Sequence, residues 1–165
     1  MIKIRQTLSS DVDTLCDLQK AAFLPIYKKY HDAGNPYLRG TEDISLRLDS
    51  PTFRYFTVLY GCEIIGGILY RCEGNTPFIE KLNKGEYYLT RIYIKPNFQG
   101  MGIGKQAILL CEKEFHDATK FYVDFPKELD KNRRCYESVG FCCSGKELEV
   151  EPGLILVACE KDIVI

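Results

Sequence analysis

The stretch "FQGMGIGK", residues 98–105, decides how this chain is read. It sets glycines at positions 100, 102 and 104, behind Gln99 and ahead of Lys105. Glycines this dense let a backbone come close to another group. A tight turn with no ligand accounts for one or two of them, but poorly for three on alternate positions. Upstream, "YYLTRIYI" (87–94) is the strongest strand signal in the chain, being rich in aromatic and β-branched residues. Downstream, Ile103, Ala107, Cys111, Phe115 and Ala118 recur at helical spacing. Strand, glycine loop and helix together make an anion cradle. The first N–H groups of a helix have no internal partners, and the helix dipole favours negative charge there. Two familiar phosphate loops fail on spacing. The dinucleotide loop needs a glycine where Lys105 stands, and the P-loop needs a glycine at Gln99 and a Ser or Thr at Gln106. The pattern that fits is Gln/Arg-x-x-Gly-x-Gly/Ala, read here as Gln99-Gly100-Met101-Gly102-Ile103-Gly104.

Outward from the loop, periodicity predicts the remaining elements. Ile2 and Ile4 alternate with Lys3 and Arg5 as a short strand. Ser10 reads as the cap of a helix carrying Val12, Leu15, Leu18 and Ala22. Pro25 predicts a kink or break there, with a second helical piece over roughly 26–33 ending at Gly34. A short helix is predicted from Glu42 to Leu48. "RYFTVLY" and "EIIGGILYR" read as strands joined by a tight turn at Gly61-Cys62. "KFYVDF" is another strand, and "LDKNRRCYESV" a helix closed by Gly140. Two strands near 141–150 and 154–161 end the chain. The order is β-α-α-β-β-β-α-β-α-β-β. Hairpins in the first half imply antiparallel pairing, and strand–helix–strand crossovers in the second imply parallel pairing. The expected fold is α/β (α+β), one mixed sheet flanked by helices, in a single domain over 1–165.

Composition narrows the function classes. The chain has 165 residues, 45% hydrophobic and 27% charged, with a net charge of −1. That balance gives no electrostatic footprint for nucleic acid or anionic membrane. No apolar run approaches the roughly 20 residues of a membrane span, and "MIKIRQTLSS" lacks a signal-peptide core. A soluble, cytoplasmic protein is the expectation. The eight cysteines include no C-x-x-C pair, and only His31 and His116 could assist them, so no metal site is expected. All eight are read as reduced thiols acting as small hydrophobes.

With its context, the loop resembles the acetyl-CoA pyrophosphate loop of the GNAT superfamily of N-acetyltransferases. "LTRIYIKPNFQGMGIG" is similar to that family's central strand and loop, and "NRRCYESVGF" to its last helix, with Tyr136 four residues before Gly140 and Phe141 after it. The resemblance implies a mostly antiparallel sheet whose central parallel strands splay apart. It implies acetyl-CoA as cosubstrate, its phosphates on the backbone of Gln99, Gly100, Met101, Gly102, Ile103, Gly104 and Lys105. The pantetheine arm would pair with strand 87–94, chiefly through Ile92, Tyr93 and Ile94.

Acetylating an amine requires a neutral acceptor, positioning, an oxyanion donor and a proton for the departing thiolate. Tyr136 is the expected acid, since a phenol stays protonated at neutral pH. Two positions depart from the family's pattern. Where many members carry a CoA-contacting Asn seven residues before the Tyr, this chain has Leu129; Asn132, one helical turn from Tyr136, is the candidate substitute. Where some carry a Glu base eleven residues before the Gln, this chain has Tyr88; Glu86, two residues earlier on the same strand face, is the candidate base. The acceptor is read as a primary amine of a small molecule or peptide, and a homodimer is compatible with the sequence. Two alternatives stand beside this reading: a non-catalytic acyl-CoA-binding module, and an enzyme using a larger acyl-CoA, because the loop reads only phosphates.

Overall fold

A computed structural model describes residues 1–164. Seven strands form one sheet in the order β1-β2-β3-β4-β5-β7-β6. The strands are β1 (Ile2–Gln6), β2 (Phe53–Tyr60), β3 (Glu63–Arg71), β4 (Glu86–Ile94), β5 (Lys120–Pro126), β6 (Cys142–Glu151) and β7 (Leu154–Asp162). Only β4 and β5 pair in parallel; every other neighbour is antiparallel. β6 lies one strand away from β5, because β7 inserts between them.

Four helices cover the two faces. α1 (Val12–Tyr30) and α2 (Thr41–Asp49) bury Leu15, Leu18 and Ile44 against Tyr55, Leu69 and Tyr93 on one face. α3 (Ile103–Glu112) and α4 (Asp130–Ser138) bury Ile103, Ala107, Ile108 and Tyr136 against Phe56, Val58, Ile68 and Leu89 on the other. Within β4 and β5 the alternation of side chains sorts residues to these two faces. A bulge in β4 shifts that alternation: Tyr70 pairs with Leu89 and Leu69 with Arg91, leaving Thr90 extra. Tyr88 and Arg91 therefore face the same side although three residues apart. The close approach of β3 to β4 needs Gly66, where an added Cβ would stand 2.2 Å from the Tyr93 carbonyl oxygen.

Four expectations are corrected. α1 runs unbroken through Pro25. A proline removes one N–H and frees a carbonyl one turn back, but Ala21 and Pro25 are both exposed, so water can satisfy that group. The helix ends not at Gly34 but at His31, whose φ of 50° is left-handed and whose N–H donates to the Tyr27 carbonyl at 2.7 Å. At the other end the N-cap position is Asp11, not Ser10, and its side chain makes no capping bond to α1 but ties down the turn before it. Its carboxylate accepts the Leu8 N–H at 2.9 Å and the Arg5 guanidinium at 2.6 Å. The cysteines are not all free, since Cys143 and Cys159 are register partners on β6 and β7 and form a disulfide.

Candidate active site

The pairing of β4 with β5 covers only Glu86–Tyr88 against Lys120–Tyr122. Beyond Tyr88 the two strands part, and a groove of about 650 Å³ opens between them. Leu89 to Ile94 form one wall, Asp124 to Pro126 the other, and α4 supplies Asn132, Cys135 and Tyr136, with Leu129 just ahead of it. Lys95 N–H donates to the Ile65 carbonyl at 2.7 Å, toward β3. Backbone groups alternate in direction along a strand, so those of Ile92 and Ile94 turn toward the groove and those of Tyr93 toward β3.

The glycine loop closes the far end of the groove. Gly100 and Gly102 have φ values of 78° and 74°, the left-handed region that side chains disfavour. A Cβ at either would meet nothing within 4 Å, so their backbone stands open. Gly102 is the N-cap of α3, which leaves the helix's first N–H groups facing the groove end. The Gln99 side chain ties the loop to β4, its Nε2 donating to the Ile94 carbonyl at 2.9 Å. Gly104 and Lys105 line the groove, whereas Met101 is exposed and does not. Lys131 and Arg134 also line it, which reading the sequence did not anticipate. With Lys105 they supply cations where a phosphate-bearing ligand would end.

Tyr136 is buried and lines the groove. Burial, reinforced by the Cys135 thiol and the Asp124 carboxylate, pushes its hydroxyl above the ordinary phenol range, so it stays protonated. Asn132 also lines the groove, one turn from Tyr136. Glu86 does not. It sits at the closed end of the strand pair, where its carboxylate accepts the Asn83 N–H at 2.8 Å and the Tyr122 hydroxyl at 3.3 Å.

Asp124, which the sequence alone did not single out, borders the groove, whereas Glu86 is not among its lining residues. Asp124 lines the groove and also a second cavity of about 140 Å³ on the α1/α2 face. Burial raises its carboxyl to about 6, and the Tyr88 hydroxyl, donating at 2.8 Å, works against that rise. The Tyr88 hydroxyl is itself pushed far up by burial and by the Asp124 charge, and remains a donor. A carboxylate poised near neutrality where two cavities meet is suited to taking a proton. Among the described residues, no group of three or more His, Cys, Asp or Glu could hold a metal ion. No helix among them is long and apolar enough to cross a membrane.

Comparisons with known proteins bear on the fold and the family. No curated protein matches the chain significantly. The PaiA N-acetyltransferase of Thermoplasma acidophilum, solved in complex with coenzyme A, superposes with a TM-score of 0.75 at 16% identity, over 99% of each chain. AAC(6')-Ib in complex with ribostamycin and coenzyme A superposes with a TM-score of 0.76 at 15% identity, over 98% of this chain and 93% of that one. The ribosomal-protein-S18-alanine N-acetyltransferase of Escherichia coli gives 0.72 at 12%, over 100% and 96%. At such identities the likeness shows the fold. The family is shown by sequence: the profile described as "Acetyltransferase (GNAT) family" matches residues 13–141. The chain belongs to the GNAT family of acetyltransferases, and it is an acyltransferase.

Proposed function

We propose that the chain, acting as one domain over residues 1–165, transfers the acetyl group of acetyl-CoA to a primary amine of a small molecule or peptide. The transfer is a direct attack with both substrates bound. The observation that carries this reading is Asp124, a raised carboxylate standing where the groove meets a second cavity. The groove fits acetyl-CoA by its parts: open backbone at Gly100 and Gly102, cations at Lys105, Lys131 and Arg134, Asn132 on α4, and strand groups at Ile92 and Ile94 that have no partner on β5, the Ile94 carbonyl being held by Gln99. Two solved neighbours in complex with coenzyme A support that fit, and the ribostamycin complex of one supports a small-molecule amine as acceptor.

The thioester supplies an activated acetyl group. Ile92 N–H is the donor for the oxygen that gains negative charge as the amine adds. A new N–C bond forms and the C–S bond breaks. The proton lost by the attacking nitrogen goes to the Asp124 carboxylate, and the departing sulfur receives one from the Tyr136 hydroxyl. A free alkylamine resembles the Lys side chain, with a pKa of about 10.4, and is almost wholly protonated at neutral pH. Asp124 makes the reactive neutral form accessible inside the site, with Tyr88 holding its carboxylate in place.

The test is thiol release from acetyl-CoA over a panel of primary amines. Wild type releases thiol only with an accepted amine. Asp124→Asn keeps its CoA affinity and loses about 10²- to 10⁴-fold in kcat. An Asp124→Asn enzyme of wild-type rate sinks the base assignment, and no amine-dependent release from wild type sinks the reaction.

A further inference from the structure

The smaller cavity narrows the acceptor. Its volume of about 140 Å³ is close to that of an engineered protein cavity of roughly 150 Å³ that takes up benzene. Phe78, Ile79, Tyr88 and Tyr122 give it apolar and aromatic walls, and Asp124 stands at its junction with the groove. The walls are held in place by hydrogen bonds. The Oγ1 of buried Thr76 accepts the N–H groups of Phe78 and Ile79 at 3.2 and 3.0 Å. Thr76 N–H donates to the Ile79 carbonyl at 2.8 Å, and Leu82 N–H closes the same loop onto the Gly74 carbonyl at 2.8 Å. On the sheet side the Tyr88 hydroxyl is bonded to Asp124 and that of Tyr122 to Glu86.

We propose that this cavity is a specificity pocket for the acceptor, and that the acceptor is a primary amine carried on a ring-sized apolar group. The ring occupies the space between Phe78, Ile79, Tyr88 and Tyr122, and a short linker carries the nitrogen past Asp124 into the groove. The proposal rests on the acetyl-transfer reading above and deepens it. Charge argues for the same class. Lys146 and Glu160 also line the cavity, so with Asp124 it carries two acids and one base, and each acid is already engaged, Glu160 by the Lys120 ammonium at 3.7 Å and Asp124 by the Tyr88 hydroxyl. An extended polycation would have to set a further ammonium against Phe78 and Ile79, at a desolvation cost that Glu160 could offset only in competition with Lys120. A lone aminomethyl or aminoethyl group meets the Asp124 carboxylate, which lines both the cavity and the groove.

The experiment compares kcat/KM for methylamine, benzylamine, phenethylamine, putrescine and kanamycin with acetyl-CoA and the full chain. The ring-bearing amines should exceed methylamine by about tenfold to a hundredfold, the scale on which an apolar pocket discriminates, and putrescine should not. In Ile79→Trp, which fills the cavity, the ratio of benzylamine to methylamine should fall to near one. In Phe78→Ala, which enlarges it, the optimum should move to a naphthyl-bearing amine. Calorimetric CoA affinity reports whether each variant is folded, and either variant alone carries the test. Ring-bearing amines no better than methylamine, a ring advantage that survives Ile79→Trp, or putrescine or kanamycin as best acceptor overturns the proposal. Acetylation without ring preference sinks this inference alone. CoA binding with no amine acetylated sinks the transfer reading and this inference with it.

Discussion

The two ends of the β4–β5 strand pair differ in almost every property that chemistry requires. At the closed end, Glu86 to Tyr88 pair with Lys120 to Tyr122, and the one carboxylate, Glu86, is held by Asn83 and Tyr122. At the open end the strands part, backbone groups of Ile92 and Ile94 lack a strand partner toward β5, and Asp124 is raised to about 6. The two acids lie on neighbouring strands of one sheet face, yet only Asp124 borders the groove. On the proposed reaction, position along the splay, more than residue type, decides which carboxylate serves as the base.

The comparison can be broken first at the cofactor end. Gly102→Asp puts a side chain on a left-handed residue and a negative charge at the start of α3. Calorimetry should show CoA affinity reduced about a hundredfold, equivalent to about 2.7 kcal/mol; unchanged affinity in a folded variant would move the phosphate site elsewhere. A smaller effect is predicted at Tyr136. Tyr136→Phe should lower kcat about tenfold to a hundredfold while leaving acetyl-CoA affinity within about threefold, because a thiolate leaves readily and needs only part of the help a general acid can give. Steady-state rates equal to wild type would remove the hydroxyl from the reaction. The smallest effect belongs to the closed end. Glu86→Gln should change kcat/KM by less than about twofold, since it lies outside the groove; a loss beyond about tenfold would contradict the contrast between the two ends.

Much of the fold is legible in the sequence because the signals are local. The β-rich composition of "RYFTVLY" and the helical stripe from Ile103 to Cys111 each depend on neighbours in the chain, and the element order follows from them, although the helix stops at Glu112 and the expected stripe positions Phe115 and Ala118 lie beyond it. The glycine loop is legible for the same reason. Asp124 is not. "KFYVDF" places it on one face of a strand, but its importance comes from where β4 stops pairing with β5, a fact about two segments distant in sequence. A single acid between aromatic residues in a predicted central strand is the available signal. For Glu86, strand parity gives the face and not the distance from the splay, so its place outside the groove is not legible in the sequence. Pro25 misleads because the rule for prolines assumes a freed carbonyl with no water to satisfy it. The Cys143–Cys159 bond is hidden by irregular register, since β6 spends more residues than β7 between the hairpin turn and the disulfide.

The central claim is that Asp124 takes the proton at the open end of the splay. The most direct measurement is the pH dependence of kcat/KM for wild type, Asp124→Asn and Glu86→Gln with one accepted amine. Asp124 acts as the carboxylate, so wild-type activity should rise as pH rises through about 6 and fall away below it. Glu86→Gln should keep that acidic limb. Asp124→Asn should be slow and lack the bend near 6, retaining only the rise set by the amine's own ionisation. An acidic limb that persists in Asp124→Asn, or that vanishes in Glu86→Gln, would contradict the account.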